Sequence, residues 1–232
     1  MKTNSRPALE NNHLYHIIMR GIDGINIFKD QEDYLRCIHD IFEFNDIKLA
    51  PSVYRMKDAK IDLNKKETSS RDLIVNVSAF CLMPTHIHLI LEQLKDGGIS
   101  LFVKKLSIGY VRYYNNKYQR KGHLFQGRFK AVLIKTDEQM IASFIYVHTN
   151  PASIIDSNWK LGGINDPNKI IKFIENYKWS SYKDYLGIHN FPSLTNRDFF
   201  LNIMSNKDWQ QLVNNWVYAK EKLDWHGMDL EG

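Results

Sequence analysis

Two apolar, strand-like runs separated only by Pro84-Thr85 constrain the fold of this chain more than any other feature. The runs extend over residues 73–83 and 86–93, and each has the length of a buried strand. Proline cannot donate a hydrogen bond to a β-ladder, and it restricts the backbone of the residue before it. The pattern therefore predicts two strands between which the chain turns at Pro84.

The rest of the periodicity predicts an irregular alternation of strands and helices. Further strands are expected at residues 13–20, 49–55 and 129–135, and helices after Asp30, over 100–119 and from Thr136 to Pro151. This order lacks the regular βαβ rhythm of a doubly wound sheet. The pattern therefore favours an α+β fold, an antiparallel sheet with helices packed on its face. Two short helical patterns at 199–204 and 209–223 predict a small helical C-terminal appendage.

Composition narrows the class of protein. A chain of 232 residues with 44% hydrophobic content can bury a full core as one domain. Cys37 and Cys81 are its only cysteines and lie in apolar segments, which excludes a disulfide framework and a cysteine-based zinc site. The N-terminus carries no signal-peptide pattern, and no apolar run reaches membrane-spanning length. We therefore expect a cytoplasmic protein without a membrane partner.

The charge of the chain is concentrated in one segment. Between Gly97 and Thr136 there are nine positive residues and no acidic residue, which leaves −4 for the rest of a chain whose total is +5. A basic segment on a slightly acidic body is typical of a nucleic-acid binder, whereas solvated helix faces usually mix both signs. The nine are Lys104, Lys105, Arg112, Lys117, Arg120, Lys121, Arg128, Lys130 and Lys135.

His86 and His88 are separated by one apolar residue within the second strand-like run. Because residues i and i+2 of a strand point to the same side, both imidazoles leave one face while Ile87 enters the core. Such a pair is half of a metal site. From the spacing alone, two strand histidines with ordinary hydrogen bonds are an equal alternative.

Tyr146 and Asn150 lie four residues apart in the helix that starts at Thr136, and hence on one helix face. A tyrosine has an ordinary pKa near 10, so it becomes a useful nucleophile only when its target is activated. A divalent cation on His86 and His88, completed by the Asn150 oxygen, could polarise a phosphodiester. Nitrogen and oxygen ligands with open positions suit Mg²⁺ or Mn²⁺. Periodicity alone favours the alternative that Tyr146 is a buried helix tyrosine without a catalytic role.

Five segments, in this order, resemble the signatures of the single-tyrosine HUH transposases, and most closely the REP-associated tyrosine transposases. They are residues 15–21 (YHIIMRG), 83–89 (MPTHIHL), 122–130 (GHLFQGRFK), 146–151 (YVHTNP) and 179–187 (WSSYKDYLG). The resemblance implies a ferredoxin-like core within residues 1–187, with 188–232 as the appendage and 56–72 as a charged insertion. It departs at Thr85, where asparagine is common, and at Ile22, where many relatives have a polar residue.

The resemblance also implies a reaction and its residues. His86 and His88 match the metal ligands, Tyr146 the nucleophile and Asn150 the third ligand. The family forms a 5′-phosphotyrosine linkage on single-stranded or hairpin DNA, and relatives act as monomers or homodimers. His16 and His148 are expected to be structural. The residues expected to contact DNA are Arg20, Lys104, Lys105, Arg112, Lys117, Arg120, Lys121, His123, Gln126, Arg128 and Lys130.

Two other functions remain open at this stage. A module that binds DNA hairpins without cleaving them would keep the basic segment, although it would have no need of an intact His86, His88, Tyr146 and Asn150. A metal-dependent hydrolase of a small molecule would use the histidine pair but would leave the basic segment unexplained.

Overall fold

The structure, a computed structural model, describes residues 8–48, 71–159, 164 and 166–222. The strand predicted at 49–55 and nearly all of the charged segment 56–72 lie outside these residues.

A four-stranded antiparallel sheet forms the centre of the described chain. It consists of β1 (Leu14–Arg20), β2 (Val75–Met83), β3 (His86–Gln93) and β4 (Lys130–Ile134), in the spatial order β2-β3-β1-β4. Every neighbouring pair is antiparallel. The predicted α+β antiparallel architecture is confirmed, and with two helices in the chain order βαββαβ the sheet is ferredoxin-like.

Two helices, α1 (Gln31–Glu43) and α2 (Gly98–Lys117), pack on one face of this sheet. The Asp30 side chain accepts a hydrogen bond from the Asp33 backbone N–H and so begins α1, as the sequence predicts. Tyr110 and Tyr114 of α2 are buried, and their hydroxyls donate to backbone carbonyls in the loop after β1. These tyrosines belong to the core of this layer.

A third helix, α3 (Asp137–Thr149), packs on the opposite face. Its N-cap is Thr136, which accepts from the Gln139 N–H at 3.3 Å, so the predicted capping interaction is confirmed. Phe144 of α3 is fully buried in the cluster that contains Ala79 and Ile90 of the sheet. Pro151 ends the regular helix, and a short helix α4 (Ala152–Ile155) follows.

The remaining helices are α5 (Pro167–Asn176), α6 (Tyr182–Tyr185), α7 (Asp198–Leu201) and α8 (Asn206–Lys222). Of these, α7 and α8 match the predicted helical patterns, whereas α5 and α6 were not predicted. Trp209 of α8 is fully buried, and its ring centroid lies 4.1 Å from that of Phe144 in α3. The described part of 188–232 therefore shares a core with α3, and the domain division at residue 187 stays a prediction. None of the described helices is both long and apolar enough to cross a membrane.

Candidate active site

His86 and His88 lie on β3 and face the layer that contains α3. Their cross-strand partners on β1 are Arg20 and Ile18, and directly opposed side chains of an antiparallel pair share one face of the sheet. His86 is 8% exposed and His88 is fully buried, with 4.7 Å between their ring centroids. Ile87 is buried in the cluster on the other face. The predicted common face of the two histidines is confirmed.

Tyr146 and Asn150 are presented by helix α3, which packs on the sheet face of the histidines. The Tyr146 ring is half-buried, and its centroid lies 5.5 Å from that of His88, edge to face. Asn150 is the C-cap of α3 and is 3% exposed. Tyr146 thus lies against His88 of the same chain, and Asn150 follows Tyr146 by four residues, which puts both on one face of α3.

Both histidines use their Nδ1 atoms in hydrogen bonds. His88 Nδ1 lies 2.9 Å from His16 Nε2, and His86 Nδ1 lies 2.9 Å from Thr85 Oγ1. Since one ring nitrogen of each histidine is engaged in this way, the Nε2 atom is the one that each can offer to a metal.

The side chains present fit a divalent cation. Asn150 Oδ1 is buried and receives no hydrogen bond from any described residue, so it is available to a partner such as a cation. Within the described ranges, no group of three His, Cys, Asp or Glu side chains could hold a metal ion. A metal at this site would therefore combine two imidazoles with a ligand of another type. Asn150 Oδ1 would be a ligand of that type, and two imidazoles with one amide oxygen suit a divalent cation.

Two of the residues predicted to contact DNA, Arg20 and Lys130, lie on the sheet face of the histidines. By register, Arg20 of β1 lies beside His86, and Lys130 of β4 lies beside Ile18 on the same face. Arg20 also lines a cavity of about 360 Å³ between α2 and the loop before β4. Other residues that line this cavity are Lys104, Phe125, Gln126, Arg128 and Phe129. The structure thus gathers four of the predicted DNA contacts around one opening.

Lys117 does not line this cavity and forms ion pairs with acidic residues instead. Its ammonium lies 2.8 to 3.0 Å from carboxylates of Asp30, Glu32 and Asp33. Partial burial acts to lower the pKa of Lys117, but hydrogen bonds to Asp30 and Asp33 outweigh it and raise the pKa above its ordinary value. Lys117 thus forms an ion pair between α1 and α2, and its contact with DNA stays a prediction.

Two more predicted DNA contacts have intramolecular partners. Lys105 donates to the backbone carbonyls of Asp46 and Lys48, and burial lowers its pKa. Arg120 donates to Asn115 Oδ1 and to the His123 carbonyl, both at 3.3 Å. The three exposed residues Arg112, Lys121 and His123 do not line the cavity.

The other residues that the sequence singled out can also be placed. Tyr113 lies on α2, which packs on the opposite face of the sheet, and donates a hydrogen bond to Asp33. His148 is buried against Ser181 at 2.8 Å, and burial lowers its pKa to about 3, as a structural histidine would require. His16 is different, because its contact with His88 makes it part of the site. Its spacing from His88 in sequence contained no signal of this contact.

The ferredoxin-like sheet, the His-x-His pair on β3 and the tyrosine helix on the same face have the arrangement that the resemblance to the HUH transposases implies. The chain resembles one branch of that class in sequence as well. A family model described as "Transposase IS200 like" matches residues 61–150, a range that includes His86, His88, Tyr146 and Asn150. The predicted resemblance to the single-tyrosine transposases is thus confirmed, although the match covers less than half of the chain.

Comparison with solved structures supports the fold. A REP-associated tyrosine transposase bound to a REP hairpin aligns with a TM-score of 0.50 and 12% identity, over 82% of this chain and 88% of that one. The tRNA(His) guanylyltransferase of Saccharomyces cerevisiae aligns over 97% of this chain and 84% of that one, at 9% identity. Its TM-score of 0.36 is too low to support any argument. No curated protein matches the sequence.

Proposed function

We propose that this protein is a metal-dependent transposase that cuts and rejoins single strands of hairpin DNA, with Tyr146 as its nucleophile. One observation carries the proposal: the Tyr146 ring lies 5.5 Å from the ring of His88 in the same chain, on the sheet face that also presents His86. The match of residues 61–150 to the IS200-like transposases supports the same activity.

The metal ligands in this proposal are His86 Nε2, His88 Nε2 and Asn150 Oδ1. Mg²⁺ or Mn²⁺ held there would polarise the scissile phosphate and offset the negative charge that develops on it. The buried Oδ1 of Asn150, which has no hydrogen-bond partner among the described residues, supports this assignment because it offers an oxygen on the tyrosine helix as the third ligand.

Tyr146 then acts on the phosphate directly. Its phenolic oxygen loses a proton and attacks phosphorus, the bond from phosphorus to the 3′-oxygen breaks, and that oxygen takes up a proton to become a 3′-hydroxyl. The 5′ end of the downstream strand is left as a phosphotyrosine on the protein. Attack by another 3′-hydroxyl reverses the step and joins two strands, so the bond energy is conserved and no nucleotide cofactor is consumed.

The DNA strand would approach along the basic surface beside the site. Arg20 and Lys130 share the sheet face with the histidines, and Lys104 and Arg128 line the adjoining cavity. These side chains can contact phosphates, and the rings of Phe125 and Phe129 can accept an unstacked base. A hairpin substrate is suggested by the similar fold of a transposase that was solved on a REP hairpin.

Because one chain supplies all four site residues, a monomer would be sufficient for cleavage, and a homodimer would not be needed to complete the site. The cytoplasmic location stays a prediction from the sequence.

The test is covalent capture of DNA. A pool of 3′-labelled DNA hairpins with randomised single-stranded flanks is incubated with the full-length protein and Mn²⁺, and label on the protein is measured in a denaturing gel. We expect Tyr146→Phe to reduce capture at least about a thousandfold, the scale seen when a catalytic nucleophile is removed. Tyr113→Phe is the matched control and should retain capture, because Tyr113 lies on the other side of the sheet.

Two results would count against the proposal. Capture by Tyr146→Phe at the wild-type level would show that another residue is the nucleophile. Binding of the hairpins by the wild-type protein without any capture would favour the alternative, a module that binds DNA hairpins but does not cleave them.

A further inference from the structure

Each of the two histidines proposed as metal ligands has a hydrogen-bond partner at its Nδ1 atom, and the two partners come from different parts of the chain. We propose that Thr85 and His16 are positioning residues, which orient His86 and His88 so that both Nε2 atoms face one metal ion. This inference rests on the proposed function and adds two residues to its metal site.

The contact between His16 and His88 is an in-plane hydrogen bond. The two nitrogen atoms are 2.9 Å apart, whereas the ring centroids are 5.1 Å apart at an interplanar angle of 22°. The nitrogen atoms therefore lie between the ring centres, and the rings do not overlap face to face. In a neutral His88 that binds metal through Nε2, the proton must reside on Nδ1, so His88 donates and His16 Nε2 accepts.

The sheet holds His16 where this bond requires it. His16 pairs with Ile90 across β1 and β3, while His88 pairs with Ile18, so the two histidines are diagonal neighbours on one face. Both side chains are fully buried. Burial between strands leaves His88 few other orientations, and the bond to His16 selects one of them.

Thr85 plays the corresponding role for His86 from the turn between β2 and β3. Its Oγ1 lies 2.9 Å from His86 Nδ1. The Thr85 carbonyl accepts the Gly21 N–H at 2.8 Å, and the preceding Pro84 carbonyl accepts the Ile27 N–H at 2.8 Å. Gly21 permits this close packing, since a Cβ there would lie 2.6 Å from the Ile25 carbonyl oxygen. The backbone of the turn is thus held against the loop after β1, and the hydroxyl is placed in advance.

Outer partners of this kind tune metal sites in general. A ligating histidine usually donates its second N–H to a fixed acceptor, which sets its tautomer and ring orientation, and loss of that acceptor typically weakens metal binding about 10- to 100-fold. Here the acceptors are a hydroxyl and an imidazole, both neutral.

The experiment measures Mn²⁺ binding to the full-length protein without DNA, from the electron paramagnetic resonance signal of free Mn²⁺. Thr85→Val removes the hydroxyl at nearly constant shape, and Thr85→Ser retains it. His16→Phe removes the acceptor and keeps a ring, and His16→Gln restores an acceptor near the position of Nε2. We expect Thr85→Val and His16→Phe to raise the Mn²⁺ dissociation constant about 10- to 100-fold each, and Thr85→Ser and His16→Gln to stay close to wild type.

A matched control separates hydrogen bonding from general damage. Thr195→Val also removes the hydroxyl of a largely buried threonine. Thr195 lies far from His86, because the backbone N–H of the next residue, Asn196, donates to the carbonyl of Val77 near the start of β2. The Mn²⁺ affinity of Thr195→Val should equal that of the wild-type protein. Thr85 is only half-buried, so Thr85→Val and Thr85→Ser still test the role of Thr85 if His16→Phe does not fold. In that case the comparison of His16→Gln with His16→Leu tests the role of His16.

The outcomes distinguish this inference from the function on which it rests. If wild-type protein binds Mn²⁺ and His86→Ala abolishes binding, but Thr85→Val and His16→Phe bind as tightly as wild type, the positioning roles are refuted and the metal site stands. If the Ser and Gln variants lose as much affinity as the Val and Phe variants, shape and not hydrogen bonding is responsible, which also refutes the inference. If wild-type protein binds no Mn²⁺, the proposed metal site itself fails.

Discussion

Substitution of Lys104 and of Lys117 by methionine should separate DNA binding from fold stability. Both lysines lie on α2, and both belong to the basic segment that indicates a nucleic-acid partner. The structure surrounds them differently. Lys104 is exposed and lines the same cavity as Arg20, whereas Lys117 is 21% exposed and bridges three carboxylates of α1 and its N-cap.

The effect on DNA binding follows from the number of phosphates contacted. If Arg20, Lys104, Arg128 and Lys130 each neutralise one phosphate, the slope of log affinity against log salt is about −2.8, and a fourfold rise in salt weakens binding roughly 50-fold. Lys104→Met should reduce the slope to about −2.1, which corresponds to a loss of roughly 20-fold over the same range. Lys117→Met should leave the slope unchanged.

The effect on stability is the reverse. Asp33 is fully buried and keeps donors from Tyr113 and Tyr118 when Lys117 is removed, but it loses its cation. Breaking a buried pair costs about 3–5 kcal/mol, and the partial exposure of Lys117 reduces our expectation to about 2 kcal/mol. In a chain of this size, that loss lowers the melting temperature by roughly 4–8 °C. Lys104→Met should not change the melting temperature measurably.

Fluorescence anisotropy with a 3′-labelled hairpin at several KCl concentrations measures the slope, and thermal unfolding without DNA measures stability. The reasoning is refuted if Lys117→Met flattens the salt dependence as much as Lys104→Met does. It is also refuted if Lys117→Met melts at the wild-type temperature, since the ion pairs would then contribute nothing.

Three further predictions concern the site and the core behind it. Asn150→Leu should raise the Mn²⁺ dissociation constant at least about tenfold in the same paramagnetic titration, because it replaces the third ligand; unchanged affinity would exclude Asn150 from the site. The folded-state pKa of His148 is lowered to about 3, so its neutral form contributes stability that is present above its unfolded pKa near 6.5 and is lost as the pH falls toward 3. Between pH 6 and 4, the free energy of unfolding of metal-free protein, measured with urea, should therefore fall more steeply in the wild type than in His148→Phe. The difference in slope should be about 1.4 kcal/mol per pH unit. Equal slopes would show that the pKa of His148 is not lowered. Trp209→Ala should lower the free energy of unfolding by about 3–5 kcal/mol, because it leaves a cavity against Phe144, whereas a loss within 1 kcal/mol would mean that α8 is a separate appendage.

Much of the fold could be predicted because its signals are local. The Asp30 N-cap, the Thr136 capping interaction and the break at Pro84 each depend on residues within a few positions of one another, and the structure contains all three. The short helix α6 carried no such signal, because four residues are too few to show a period.

The site was partly predictable for the same reason. His86 and His88 are two residues apart on a strand, and Tyr146 and Asn150 are four residues apart on a helix, so spacing alone places each pair on one face. Contact between the strand face and the helix face depends on tertiary packing. It could be predicted only from the resemblance to a family. The contact of His16 with His88 depends on the register between β1 and β3, which spacing does not contain.

By itself, the sequence determined the two pairs of chemically competent side chains, the strand and helix that present them, and the density of positive charge that indicates DNA. Only the tertiary structure decided which cations remain at the surface beside the site and which are neutralised, as Lys104 and Lys117 illustrate on one helix. It also decided that Tyr146 lies beside His88 of the same chain, and that His16 and Thr85 occupy the outer nitrogens of the histidines. The physical reason is that periodicity reports which face of its own element a side chain occupies, whereas charge pairing and hydrogen-bond partners depend on elements brought together from distant parts of the chain.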